Sequence, residues 1–183
     1  MKSVLINIKP KYCELIASGN KTIEVRKTRP KLETPFKCYI YCTSVKSMKL
    51  QEYVNAHQVT CGFIDDWSEN VIGEFICDYI YENMSYDCEG SCVSVSEFQK
   101  YANGKPLYGW HISELKIYDK PKELSEFHKK DFEEAFSNWE DLFSIGTPKG
   151  CVVEYPPEPK EEDYILTRPP QSWYYVEENN END

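Results

Sequence analysis

A chain of 183 residues is long enough to bury one substantial core and too short for two comfortable ones, so a single domain is expected. With 40% hydrophobic and 14% aromatic residues it is not a disordered polymer, and a mean hydropathy of -0.63 without an apolar run near ~20 residues excludes a membrane-spanning helix. The net charge of -10 is polarised: residues 1–50 carry eleven Lys or Arg against three acids, Glu14, Glu24 and Glu33, whereas the rest holds ten bases and 28 acids. The average surface repels a polyanion, yet a basic face built from the first quarter attracts one, because screening confines charge effects to ~8–10 Å. The plainer reading is that lysine-rich strands keep sheet edges soluble.

The opening apolar stretch is broken by Asn7 and stopped by Lys9-Pro10, shorter than a signal peptide needs, so a soluble cytoplasmic protein is expected. Val4 to Ile8 alternates as a strand does. Tyr12, Leu15 and Ile16 then fall at helical spacing, with Gly19 where a left-handed cap is wanted. Lys21 to Lys27 alternates again, Ile23 and Val25 on one face, Thr22, Glu24 and Arg26 on the other. Phe36 to Thr43 is a third strand, in which Cys38 and Cys42 flank Ile40 as small buried hydrophobes. Residues 46–70 read as a helix and loop inserted between strands.

Val71 to Ile80 reads as one strand with Val71, Phe75, Cys77 and Tyr79 on a common face. Ser94-x-x-Glu97 has the form of a capping box and predicts a short helix through Phe98 and Tyr101, closed at Gly104. Trp110 to Tyr118 reads as a strand bulged near Ser113-Glu114, and Asp119-Lys120-Pro121 as the turn after it. Phe132, Ala135, Phe136, Trp139, Leu142 and Phe143 mark the apolar stripe of a late helix expected to pack on the sheet. Residues 154–163 read as a surface loop, Ser172 to Val176 as a last strand, and 179–183 as a disordered acidic tail.

Eight cysteines in a chain with a core this size read as reduced thiols. Cys88-x3-Cys92 lacks two further ligands at zinc spacing, so no metal and no cofactor is expected. The common phosphate-loop, dinucleotide, zinc-protease and serine-hydrolase motifs are absent.

Gly19-Asn20-Lys21-Thr22-Ile23-Glu24-Val25-Arg26 fits G-x-K-x-x-E-x-R at all four fixed positions. Together with the strand ending Ile8-Lys9-Pro10, with Gly73-Glu74-Phe75, with Gly109-Trp110-His111-Ile112 and with Pro170-Gln171-Ser172-Trp173-Tyr174-Tyr175-Val176, it resembles bacterial ASCH-domain proteins of the PUA-like superfamily. The resemblance runs from Ser3 to about Glu178. It implies an α+β fold, a small mixed β-barrel with surrounding helices over residues 1–178, with helical insertions near 46–70 and 122–150. It also implies a cleft beside the first helix that binds RNA or another nucleic acid, or a modified nucleoside.

The residues agree in outline. Lys21 offers a mobile ammonium to phosphate, Arg26 a planar fork for phosphate or a base edge, and Glu24 holds that fork or accepts from a base amino group. The bland alternative is a surface ion pair of little value. Trp110, His111 and Trp173 are aromatic candidates for stacking, with a structural role favoured for Trp173 and His111. The expected ligand-binding set is Lys9, Lys21, Glu24, Arg26, Trp110, Ser172 and Trp173, and no residue is assigned to catalysis.

Two other functions compete. Some small ASCH proteins are amidohydrolases that deacylate a modified cytidine with Lys, Thr and Glu. Lys21 falls on the lysine, but Glu24 stands where the threonine nucleophile belongs, and a carboxylate does not replace a hydroxyl there without a changed mechanism. The third reading is a protein-interaction module using the acidic C-terminal half, around the helix from Asp131 to Phe143.

Overall fold

The computed structural model describes residues 3–44, 67–85, 89–129, 132–144 and 156–178. Strand β1 (Ser3–Ile8) is almost wholly buried and ends where Pro10 opens helix α1 (Pro10–Ala17), in the first turn, where its missing N–H costs nothing. Gly19 follows α1 at φ +76, the left-handed conformation that glycine adopts without strain, and its N–H closes the helix on the Ile16 carbonyl (2.9 Å). Next come β2 (Ile23–Arg26), β3 (Phe36–Cys42), β4 (Val71–Cys77) and β5 (Ile80–Tyr81). Helix α2 (Val95–Ala102) carries the expected capping box, Ser94 and Glu97 bonding reciprocally. Strands β6 (Tyr108–His111), β7 (Ser113–Lys122) and β8 (Phe127–Lys129), helix α3 (Phe132–Ser144) and strand β9 (Trp173–Glu178) complete the described elements.

The strands form a six-stranded sheet in the order β7-β4-β3-β1-β9-β8 and a three-stranded sheet in the order β2-β6-β5. Only β1 and β3 run parallel among the described pairs, which α1 and β2 permit by carrying the chain over between them. The α+β class is therefore observed. The pairing of the described strands does not close into a barrel; it leaves two sheets. One face of the large sheet, with Val4, Ile6, Ile8, Cys38, Ile40, Phe75 and Cys77, packs against Cys13 and Ile16 of α1 and against Trp110 and Ile112. Each such side chain contributes ~1.5–3 kcal/mol by leaving water. The other face carries Leu5, Tyr39, Tyr41, Val71, Phe127 and Val176, packed together with Leu166.

Several sequence expectations shift. The strand expected over 71–80 ends at Cys77, and its register slips near Gly73, so Val71 and Phe75 serve opposite cores and Tyr79 is exposed. The bulged strand expected over 110–118 is two strands in different sheets, with Ile112 bonded across to the Thr22 carbonyl (2.9 Å) and Glu114 at φ +47. Pro121 does not end β7, because among the described strands β7 lies at the sheet edge, where its outer side needs no N–H. In α3, Phe136 and Trp139 are half-buried, and Trp139 Nε1 donates to the Pro156 carbonyl (3.0 Å). Of the insertion near 46–70 only 67–70 is described; Cys88, 145–155 and the tail 179–183 lie outside the described residues. Among the described residues no helix is long and apolar enough to cross a membrane.

Candidate functional site

The motif strand β2 is buried on both faces, although its sequence alternates. Val25 packs with Phe98 and Leu107, while Glu24 and Arg26 project the other way. The strand is held at its start: the N–H groups of Thr22 and Ile23 both donate to the Gly90 carbonyl (2.9 and 3.1 Å). Gly90 has φ +84 and lies against the Thr22 hydroxyl, so a Cβ there would strain the backbone and collide with Thr22.

This scaffold draws Lys21, Glu24 and Arg26 into one buried row. Lys21 is 2% exposed. Its Nζ donates to the carbonyls of Ile23 (2.7 Å) and Ser91, lies 3.3 Å from Glu24 Oε2, and stands 5.0 Å from the centre of the Tyr12 ring. Two carbonyls thus accept from the ammonium, and the Glu24 carboxylate offsets its charge. Glu24 Oε1 is 3.1 Å from Arg26 Nη2, and that nitrogen also donates to the Asn7 carbonyl. Asn7 in turn donates from Nδ2 to the Pro170 carbonyl. Two buried cations share one carboxylate, leaving the row formally positive. Arg26 Nε and Asn7 Oδ1 are buried without a hydrogen-bond partner among the described residues, an unusual state for native polar atoms.

The row floors a cleft of about 960 Å³. Its walls come from the end of β1 with Lys9, from Tyr12 of α1, from β2 continuing through Lys27 and Thr28, and from Val93, Glu97, Phe98, Lys100 and Tyr101 in and before α2. Thr43, Gln171 and Ser172 complete the lining. Among the described residues five cations face two carboxylates, so the described cleft lining is basic in a protein that is acidic overall. Tyr101 is 37% exposed at the rim, with Lys27 Nζ 4.8 Å from its ring centre.

Two ionisations shape the walls. Burial, then the charges of Glu97 and Glu24, push the Tyr12 phenol up to about 12, so it remains a neutral donor. The Ser94 hydroxyl (2.7 Å) outweighs the opposing effect of burial and, with Lys11 (3.2 Å), holds the Glu97 carboxyl down at about 2. Glu97 is therefore a fixed negative wall, and the basic character of the cleft comes from its lining lysines and Arg26.

Lys9, Lys21, Glu24, Arg26 and Ser172 all line the cleft. The mobile ammonium expected of Lys21 is not what forms: desolvation, two carbonyl acceptors and the Glu24 carboxylate pin it. Trp110 cannot stack with a base, because it is 0% exposed, sealed against Phe36 in an edge-to-face contact (5.8 Å). Trp173 lies outside the cleft lining, 6.1 Å from Trp110, and its Nε1 donates to the hydroxyl of Thr28, which it positions on the wall. His111 pairs with Asp78 (2.6 Å), and Arg29 pairs with Glu82 (3.4 Å), both away from the cleft. Among the described residues no cluster of His, Cys, Asp or Glu could hold a metal. Tyr12, Glu97, Phe98, Lys100 and Tyr101 escaped the sequence reading. The capping box located α2, but nothing in a single sequence says which strand a helix will face.

No protein-family model matches the chain, and no curated protein does. Solved structures do: two single-residue variants of ZmASCH from Zymomonas mobilis each align with a TM-score of 0.54 at 14% identity. The alignments cover 98% and 97% of this chain and 93% and 90% of theirs. The chain has the ASCH-domain fold. At that identity the likeness concerns the path of the backbone, and the chemistry rests on this chain's own side chains.

Proposed function

We propose that this ASCH-fold chain binds single-stranded nucleic acid, RNA foremost, by admitting one nucleotide unit to the cleft above Lys21, Glu24 and Arg26. The carrying observation is the cleft itself: about 960 Å³, basic, with an aromatic ring at its rim and buried polar atoms at its floor. Its size is that of ordinary ligand sites, ~300–1,000 Å³. Lys9, Lys27 and Lys100 supply charge to phosphates, and Tyr101 a face for a base. Arg26 contributes a rigid donor, and Glu24 fixes its plane.

Titration of a labelled short mixed-sequence RNA, followed by fluorescence anisotropy over a range of salt, tests this. Binding that weakens with salt and is lost on changing Lys27 and Tyr101 together supports it; binding that survives both changes would point to another surface, such as that around α3.

Deacylation of an acylated cytidine is less well supported. The acceptors around Lys21 are two carbonyls and a carboxylate rather than a hydroxyl nucleophile. Thr22, its sequence neighbour, is exposed and outside the cleft lining.

A further inference from the structure

The large sheet carries a second concentration of positive charge that shares no residue with the cleft. Strand register places Tyr39, Glu74 and Lys116 in one row across β3, β4 and β7, on the face turned away from the small sheet. Lys37, two residues before Tyr39, shares that face. Around them lies a depression of about 420 Å³, rimmed by Lys37, Lys116, Lys120 and Lys122 with Tyr118 beside Glu74.

Glu74 does not cancel this charge on its own account. It is tied by the Tyr118 hydroxyl (2.7 Å) and by Lys37 (3.3 Å). Among the described residues four lysines face Glu74 and Asp119, a formal excess of two. Lys116 and Lys120 have no carboxylate at ion-pair distance among the described residues. Lys116 and Lys122 instead stand 6.0 and 5.3 Å from the Tyr118 ring centre.

Edge protection would explain lysines on β7 alone, the outermost strand. It does not explain Lys37, which enters from β3, two strands further in. Nor is chance placement favoured: beyond residue 50 the chain has ten bases against 28 acids, and three of those ten meet here.

We infer that this depression is a second anion site, one that takes a phosphate group. Lysines are compact point charges on mobile stems, suited to phosphate and indifferent to base identity. Tyr118, with its hydroxyl committed to Glu74 and its ring within 6.0 Å of both the Lys116 and Lys122 ammonium groups, is a spacer for those groups rather than a free stacking face. The phosphate could belong to a nucleic-acid backbone running beyond the cleft or to a small free phosphate compound. The chemistry is the same, and the inference does not depend on what the cleft binds.

The test is a ¹H–¹⁵N NMR titration of the full chain at constant ionic strength, with sodium pyrophosphate in one arm and a short single-stranded RNA in the other. Saturable shifts at Lys37, Lys116, Tyr118 and Lys120 are expected, with the apparent Kd raised roughly tenfold in the Lys116→Ala, Lys120→Ala double variant. Both lysines are exposed, and an unchanged melting temperature confirms that the variant is folded. The same shifts must persist in Tyr101→Ala, which separates this site from the cleft. Shifts with RNA at lower concentration identify the backbone as the source, and shifts with pyrophosphate alone identify a small phosphate. No saturable shift in either arm, or shifts indifferent to the double variant, overturns the inference.

Discussion

Lys21 Nζ lies 3.3 Å from Glu24 Oε2, and both side chains are more than nine-tenths buried. An ion pair so placed behaves unlike a surface pair: removing one member leaves the other charged and desolvated, a loss of ~3–5 kcal/mol. Lys21→Ala is therefore expected to lower the unfolding free energy by about that amount, measured by urea denaturation. Lys27→Ala, at the exposed rim, should stay within ~0.5 kcal/mol of the parent. Equal stability of the two variants would show that Lys21 is not the structural post described here.

Tyr101 makes the opposite kind of prediction. Its ring is partly open and belongs to the cleft rim, so Tyr101→Ala should leave the melting temperature nearly unchanged while weakening RNA binding by ~1–3 kcal/mol. Tyr101→Phe should bind almost as well as the parent, because stacking needs the ring. Anisotropy with both variants checks this, and a Phe variant as weak as the Ala variant would assign the effect to the hydroxyl.

Salt dependence should be shallow. Lys9, Lys27 and Lys100 are the lining cations outside the buried row, and each phosphate neutralised on a single strand contributes a slope of about -0.7. A log–log plot of affinity against salt is expected to give a slope matching two or three phosphates. A slope near zero would favour a small uncharged ligand.

The sequence made most elements legible because period and capping are local. β1, α1, β3, α2 and β9 follow from alternation, from Pro10 and Gly19, and from the Ser94 and Glu97 box. What escaped was set by packing between distant segments. Glu24 and Arg26 alternate with Ile23 and Val25 just as on a half-solvated strand, yet α2 covers one side and the cleft floor forms on the other. Trp110 and Trp173 were candidates by residue type, but their neighbours Phe36 and Thr28 lie far away in sequence. Tyr12 and Tyr101 reached the cleft without a motif of their own.

Acid should loosen α2. The Glu97 carboxyl binds its proton less readily in the folded chain, at about 2, than the ordinary 4.5, chiefly because the Ser94 hydroxyl and Lys11 hydrogen-bond to its charged form. The stability it contributes is fully present above about 4.5 and is lost as pH falls toward about 2. The melting temperature of Glu97→Gln should converge on that of the parent over this interval. Parallel curves would mean that Glu97 carries no such linkage.

Gly73 tests the frame rather than the site. A Cβ at this position would run into the Lys116 carbonyl oxygen on the paired strand. Gly73→Ala should destabilise by ~1–3 kcal/mol in urea denaturation, since the obstructing atom is backbone and cannot swing aside. A neutral substitution would contradict the β4–β7 register.

Photocrosslinking of a short single-stranded RNA to the full chain, with the adducts mapped by mass spectrometry, distinguishes the cleft from every other surface of the molecule. Tyr79 and Tyr174 are more exposed than any aromatic ring of the cleft, so accessibility alone would direct crosslinks to them. Binding in the cleft predicts adducts on the peptides holding Tyr12 and Phe98 to Tyr101, lost when Lys27 and Tyr101 are changed together. Adducts confined to Tyr79, Tyr81 or Tyr174 would contradict it.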